Sequence, residues 1–240
     1  MSIILSTVRS DMLRIAGLAW PIELRPHPRA RALRLRLDEA RGVLRLTCPK
    51  RTNRRAALDW ALGQSAWVDA QVARIAPGEP FAPETTILVE GRNVRLVCDE
   101  RLPRMPSMAG DVLACGGPQA GFAGRIERYL KAAARERLSI ATAAAAARGG
   151  VRVRSVAVGD ASTRWGSCAA SGAIRYSWRL YLAPPHLLDW VVAHEVAHRR
   201  HMDHSPAFRA FEASLYDGDV AAARAELRAL GPRLKRIGRG

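Results

Sequence analysis

Nothing in the 240 residues approaches the roughly 20 consecutive apolar positions that a bilayer-crossing helix requires. The apolar patch at residues 3–5 falls far short of a secretory signal core, so a cytoplasmic chain with no membrane partner is expected. Cysteine is scarce as well. Cys48, Cys98, Cys115 and Cys168 stand far apart in no metal or redox spacing, which argues against a disulfide framework and a cysteine zinc site and agrees with a reducing compartment. Lysine is nearly missing: with only Lys50, Lys131 and Lys235, 35 of the 38 basic residues are arginine. No internal repeat is visible, nor a zinc knuckle, a helix-turn-helix signature or an aromatic stacking ladder of the kind that marks nucleic-acid binders.

What is present is the composition of a globular protein, 48% hydrophobic and 25% charged, long enough for one large domain or one domain with a smaller partner. The net charge of +16 is uneven: residues 1–60 carry 13 basic and 5 acidic side chains, 61–148 carry 11 and 9, and 149–240 carry 14 and 8. A basic surface attracts nucleic acid or acidic substrates at long range. An excess of arginine and alanine is also what a GC-rich coding sequence produces, so the charge alone supports a nucleic-acid partner only weakly.

Hydropathy patterning predicts an α+β chain. In residues 22–49 apolar and basic positions alternate through Leu33, Leu35 and Leu37 and again from Val43 to Leu46, a hairpin turning near residues 39–42 with a solvated arginine face. Residues 53–75 follow with helical spacing, Asn53 as N-cap, and Trp60 and Trp67 as packing residues. Residues 86–99 suggest a second hairpin turning at residues 91–93. The Pro- and Gly-rich stretch 99–121, with one short strand at 112–115, is the expected domain boundary, dividing a β-rich region 1–121 from a second region 122–240. A long alanine-rich helix should start at Phe122 and stop at Gly149 and Gly150, followed by a strand at 151–159, another near 174–180, and short helices from Pro185 and Pro206.

Five of the six histidines fall between residues 186 and 204. In the run HEVAHRRHMDH, His194 and His198 are four positions apart, so on a helix both imidazoles leave one face and can reach one cation, with Glu195 beside it. Leu187, Leu188, Trp190, Val191 and Val192 give that helix a buried face. A catalytic zinc needs a third protein ligand and an open position. His204 follows a turn at residues 202–205 and could close a tetrahedron from another direction, with Ser205 as N-cap of the next helix. His201 competes with it but shares the first helix axis, and Glu212 or Glu226 would make a two-histidine, one-carboxylate site instead.

The block RWGSC…GAIRYSWRLYLAPPHLLDWVVAHEVAHRRHMDHSPAF resembles the YgjP-like metallopeptidase domain, a set of bacterial zincins related to SprT-type proteases. The likeness is strongest over residues 162–211. It implies a zincin-like domain with a mixed sheet and an HExxH active-site helix, zinc (Zn2+) at His194, His198 and His204, and Glu195 as general base. Three departures are Ser177 where relatives commonly have Asn, Asp203 in place of a frequent Asn, and Arg209 where Trp is common. None removes a ligand or the base. The activity expected on this resemblance is zinc-dependent hydrolysis of peptide bonds in a peptide or protein substrate through a metal-activated water. Arg164 and Ser177 are candidate substrate contacts, Arg164 by aiding the oxyanion or else by anchoring its loop to a carboxylate. The strand from Ile174 to Leu180 is a candidate edge for an extended peptide. Trp165 and Cys168 are expected to be structural. Competing readings are a DNA-associated protease drawn to DNA by the basic ends, and a zinc-binding scaffold without activity.

Overall fold

A computed structural model describes residues 12–39, 41–73, 78–161 and 163–239, which group into two compact units, one within residues 1–77 and one within 78–240. In the first, strands β1 (Met12–Leu13), β2 (Ile22–His27), β3 (Arg34–Asp38) and β4 (Val43–Pro49) form a sheet of order β1-β2-β4-β3. The predicted hairpin is β3–β4, running antiparallel from Arg34↔Thr47 to Asp38↔Val43; Ala40 in its turn lies outside the described residues. β2 pairs parallel to β4, a partnership that alternation cannot reveal because it reports faces and not neighbours. Ile22, Leu44 and Leu46 bury against Ala57 and Ala61 of α1 (Arg54–Leu62) and Val68 of α2 (Ser65–Ala73). These are two helices where the periodicity predicted one, because the chain breaks at Gly63, whose N–H closes on the carbonyls of Asp59 and Ala61. Asn53 caps α1 as expected, its Oδ1 accepting the N–H of Arg55 at 2.8 Å. Trp60 and Trp67, expected to pack, are 36% and 42% exposed within this unit.

The second unit holds the rest of the chain. β5 (Thr86–Val89) and β6 (Arg92–Cys98) form the second hairpin. Its two-residue turn is Glu90 and Gly91, both at positive φ (50° and 75°), one residue earlier than the sequence indicated. β7 (Ser107–Ala109) and β8 (Val112–Cys115) complete a sheet of order β5-β6-β8-β7. Residues 99–121 therefore supply two strands of a sheet. Leu96, Leu113 and Cys115 share one core with Phe122, Ile126 and Leu130 of α3 (Phe122–Gly149). The compact units accordingly part at residues 77/78, whereas the Pro and Gly content had suggested 121/122. α3 ends as predicted, with Gly150 at φ 59° in the left-handed region.

β9 (Ser155–Gly159), β10 (Gly166–Cys168) and β11 (Ala173–Ser177) form a sheet of order β10-β11-β9, antiparallel on one side and parallel on the other. All three sheets are mixed, and the chain is α+β. The strand expected to reach Leu180 stops at Ser177, where residues Trp178–Leu182 wind into a 3-10 turn. Because β11 lies between its neighbours, it is not an edge; β10 is. α4 (Pro185–Ala197) and α5 (Pro206–Leu215) begin at the two predicted prolines. α6 (Val220–Arg236), capped by Asp219 Oδ1 accepting the N–H of Ala221 at 2.7 Å, was not foreseen. Among the described residues no helix is long and apolar enough to cross a membrane.

Candidate metal centre

α4 opens with Pro185, whose fixed φ and missing N–H suit the first turn of a helix. Leu187, Leu188, Val191, Val192 and Val196 are buried, each contributing about 1.5–3 kcal/mol of apolar transfer, and this fixes how the helix is rotated. His194 and Glu195 lie in its last turn and His198 at its C-cap. One turn apart, the two imidazoles leave the same side, with ring centroids 5.0 Å apart. The chain then reverses: Asp203 Oδ1 accepts the Ser205 N–H at 3.2 Å, and Ser205 Oγ caps α5 by accepting the Phe208 N–H at 3.3 Å. That reversal brings the His204 ring to 5.2 Å from His194 and 4.9 Å from His198. The buried ring of Phe208, 4.6 to 5.1 Å from all three imidazoles, packs against the whole set.

The hydrogen bonds of these imidazoles decide which nitrogens remain free. His198 Nδ1 donates to the carbonyl of His201 at 3.1 Å. His194 Nδ1 donates to Glu212 Oε1 at 2.9 Å, and the same oxygen accepts the Trp190 indole N–H at 3.0 Å. Burial pushes the Glu212 carboxyl up, but its bonds to His194 and Trp190 outweigh burial and hold it below the ordinary carboxylate value. With both Nδ1 atoms carrying protons, the Nε2 atoms of His194 and His198 keep lone pairs. His194 Nε2 faces His204 Nε2 at 3.4 Å, and one ligand atom from each of the three histidines lies within 4.8 Å of the others. That spacing lets the two nitrogens share one proton, and it is also the separation, about 3.3 Å, of nitrogens bound to one tetrahedral zinc. The donor set and its carboxylate- and carbonyl-held rings fit a divalent metal of zinc type.

The rival ligands raised by the sequence make other contacts in this structure. His201 contributes its backbone carbonyl while its ring turns to Phe211 at 6.2 Å. Glu226 lies 2.8 Å from His186 Nε2. Glu212 holds His194 from behind, a role the sequence reading missed although it had weighed this residue as a ligand.

Glu195 is 5% exposed, and burial pushes its carboxyl up to about 7 against the opposing charges of His194 and Arg164. Its neighbour is the main chain of β10. A Cβ on Gly166 would sit 2.6 Å from Glu195 Cγ and 2.7 Å from Cδ, so only glycine lets the strand pass this close to the carboxylate. Gly166 was legible only as the middle of RWGSC. A cleft of about 430 Å³ opens here, with His194, His204, Glu195, Gly166 and Arg164 in its lining. Arg164 is exposed, and among the described residues no carboxylate pairs with it. Ser177 lies elsewhere: it is 1% exposed, and its N–H donates to the Trp165 carbonyl at 2.8 Å. Cys168 is half-buried, and burial raises its thiol above the ordinary value.

No curated protein and no solved structure matches the chain. A family model does, over residues 31–230, a span that includes the histidine triad, Glu195 and the β10 strand beside them. On that match the chain belongs to the YgjP-like metallopeptidase domain family.

Proposed function

We propose that the protein is a zinc peptidase of zincin type, with His194, His198 and His204 as metal ligands and Glu195 as general base. One observation carries this reading: three imidazoles whose free nitrogens converge beside a buried carboxylate to which no side chain among the described residues donates a hydrogen bond. Zinc, when bound, supplies Lewis acidity toward water and a substrate carbonyl. Glu195 is placed to take a proton from the attacking water and return it to the leaving amine. Arg164, exposed at the cleft and free of a carboxylate partner, supports the negative charge that develops on the carbonyl oxygen. A scaffold that merely held metal would have no use for an unpartnered carboxylate in that place.

Substrate alignment falls to β10. The Ser177 N–H donates to Trp165 at 2.8 Å and the Ala169 N–H to Ala173 at 2.9 Å, so the hydrogen-bonded pairs with β11 are the odd-numbered positions. The main-chain groups of Gly166 and Cys168 then point to the free edge, where an extended polypeptide can add as a further strand. Ser177, behind that strand, serves to hold it and does not touch substrate.

Metal analysis and peptide hydrolysis on the zinc-loaded protein test the reading. Glu195→Gln is expected to retain its zinc and lose at least about 100-fold in turnover, and unchanged turnover would remove Glu195 as the base. His204→Ala is expected to lose most of its zinc; full occupancy would move the third ligand to His201 or Glu212.

A further inference from the structure

We infer that the cleft selects polypeptides carrying aspartate or glutamate beside the scissile bond, with Arg209 and Arg224 as the residues that recognise them. This rests on the peptidase reading above. Three arginines from three elements line the cleft: Arg164 just before β10, Arg209 on α5 and Arg224 on α6. The lining contains two carboxylates, and neither offsets these charges by contact. Glu195 is buried against Gly166, and Glu212 is taken by His194 and Trp190. Among the described residues none of the three arginines forms an ion pair, whereas Arg137, Arg179 and Arg233 of the same unit pair with Asp189, Asp160 and Glu79 at 2.7 to 2.9 Å. The Arg224 guanidinium lies 5.9 Å from the centre of the Trp190 ring, a cation–π contact that holds it on the cleft side.

Unpaired guanidinium groups around a concave site attract carboxylates and bind them with two parallel hydrogen bonds. Two features favour an acidic polypeptide over a nucleic acid. The free edge of β10 offers main-chain hydrogen bonds to an extended peptide. Of the aromatic rings that line the cleft, Trp190 and Phe208 are buried, and the half-buried Trp165 packs against the core with the Lys235 ammonium 5.3 Å from its ring centre, so no ladder of open faces is offered to stacking bases.

The test is a mixed-sequence peptide library digested by the zinc-loaded protein, with cleavage positions read by mass spectrometry. Asp and Glu should be enriched within two positions of the cut. Arg209→Ala with Arg224→Ala should lower kcat/KM for an acidic peptide about 10- to 100-fold more than for a neutral one, mostly through KM. Charge reversal to Glu at both positions should move the preference toward basic peptides. Cleavage without acidic enrichment overturns this inference and leaves the peptidase reading standing. Failure to cut any peptide while zinc is bound overturns the peptidase reading and this inference with it. Inhibition by a single-stranded oligonucleotide that disappears in the double variant, without acidic enrichment, would assign the arginines to a nucleic acid instead. Unchanged melting temperatures for the variants exclude misfolding as the cause of any loss.

Discussion

The arginines of the N-terminal sheet and those of the cleft are the same side chain put to opposite uses. In the sheet, the Glu23 carboxylate accepts hydrogen bonds from Arg25 at 2.8 Å and Arg41 at 2.9 Å, with Arg45 at 3.5 Å. Arg45 also approaches Asp38 Oδ2 to 2.6 Å, an ion pair at an angle that does not make it a hydrogen bond. In the cleft, Arg164, Arg209 and Arg224 line a concave wall with no carboxylate paired to them among the described residues. A net charge of +16 thus mixes arginines that hold the fold with arginines left free to meet a ligand, and only their partners tell the two apart.

That contrast can be broken by mutation. The largest effect is expected at Arg179, which is 2% exposed and donates to Asp160 Oδ1 at 2.7 Å, to the Leu234 carbonyl at 3.0 Å and to the carbonyl of Ile237. Arg179→Ala should cost about 3–5 kcal/mol in chemical denaturation, because it leaves two buried carbonyls without a donor, at about 1–3 kcal/mol each, and leaves Asp160 with Arg239 as its remaining hydrogen-bond donor. Glu23→Gln should cost less, about 1–2 kcal/mol, since the arginines it releases are partly exposed and can turn to water. Gly166→Ala brings a methyl group against Glu195; overpacking of this kind costs about 1–3 kcal/mol, and peptidase turnover should fall more than stability does.

Acid should dissect the paired arginines further. Burial raises the Asp160 carboxyl, but Arg179, with Arg239 and Lys131, pulls it below its ordinary 3.8; Arg25, helped by Arg41, draws Glu23 below 4.5. A carboxyl depressed in the folded state contributes stability above its unfolded pKa and loses it as pH falls through the folded one. Glu195, whose carboxyl burial pushes up to about 7, gains stability as pH falls through that range, so the test uses a Glu195→Gln background. There urea midpoints should be level near neutrality and decline below about pH 4.5, and a flat profile on adding Arg179→Ala would assign the decline to Asp160. The smallest effect is expected at the cleft. Arg209→Ala and Arg224→Ala should shift stability by no more than about 0.5 kcal/mol, and a larger loss would show that these arginines also hold structure.

Local signals were legible in the sequence where one residue fixes one piece of geometry. Asn53 and Ser205 cap the helices that they were expected to cap, Pro185 and Pro206 open theirs, and the spacing of His194 and His198 gives one helix face. What depends on neighbours distant in sequence was not legible. The parallel pairing of β2 with β4, the interior position of β11 and the packing of residues 99–121 into the core beside α3 all follow from tertiary partners. α6 escaped notice because its pattern is interrupted by Gly231 and Pro232. At the site, the clustered histidines and Glu195 stood out by chemical type. Glu212 was legible as a possible ligand but not as the support of His194, and Gly166 and Phe208 did not stand out, because these roles become visible only once contacts are known.

One oxygen of Glu212 joins two very different groups, accepting both the Trp190 indole and the His194 imidazole. Any charge arriving at the far nitrogen of His194 polarises that imidazole, strengthens its bond to the shared oxygen and changes the electrostatic surroundings of the indole. The emission of Trp190 should respond, giving the protein an intrinsic optical reporter of ion occupancy that works with no substrate present. A Trp190→Phe control would separate its signal from that of the other five tryptophans.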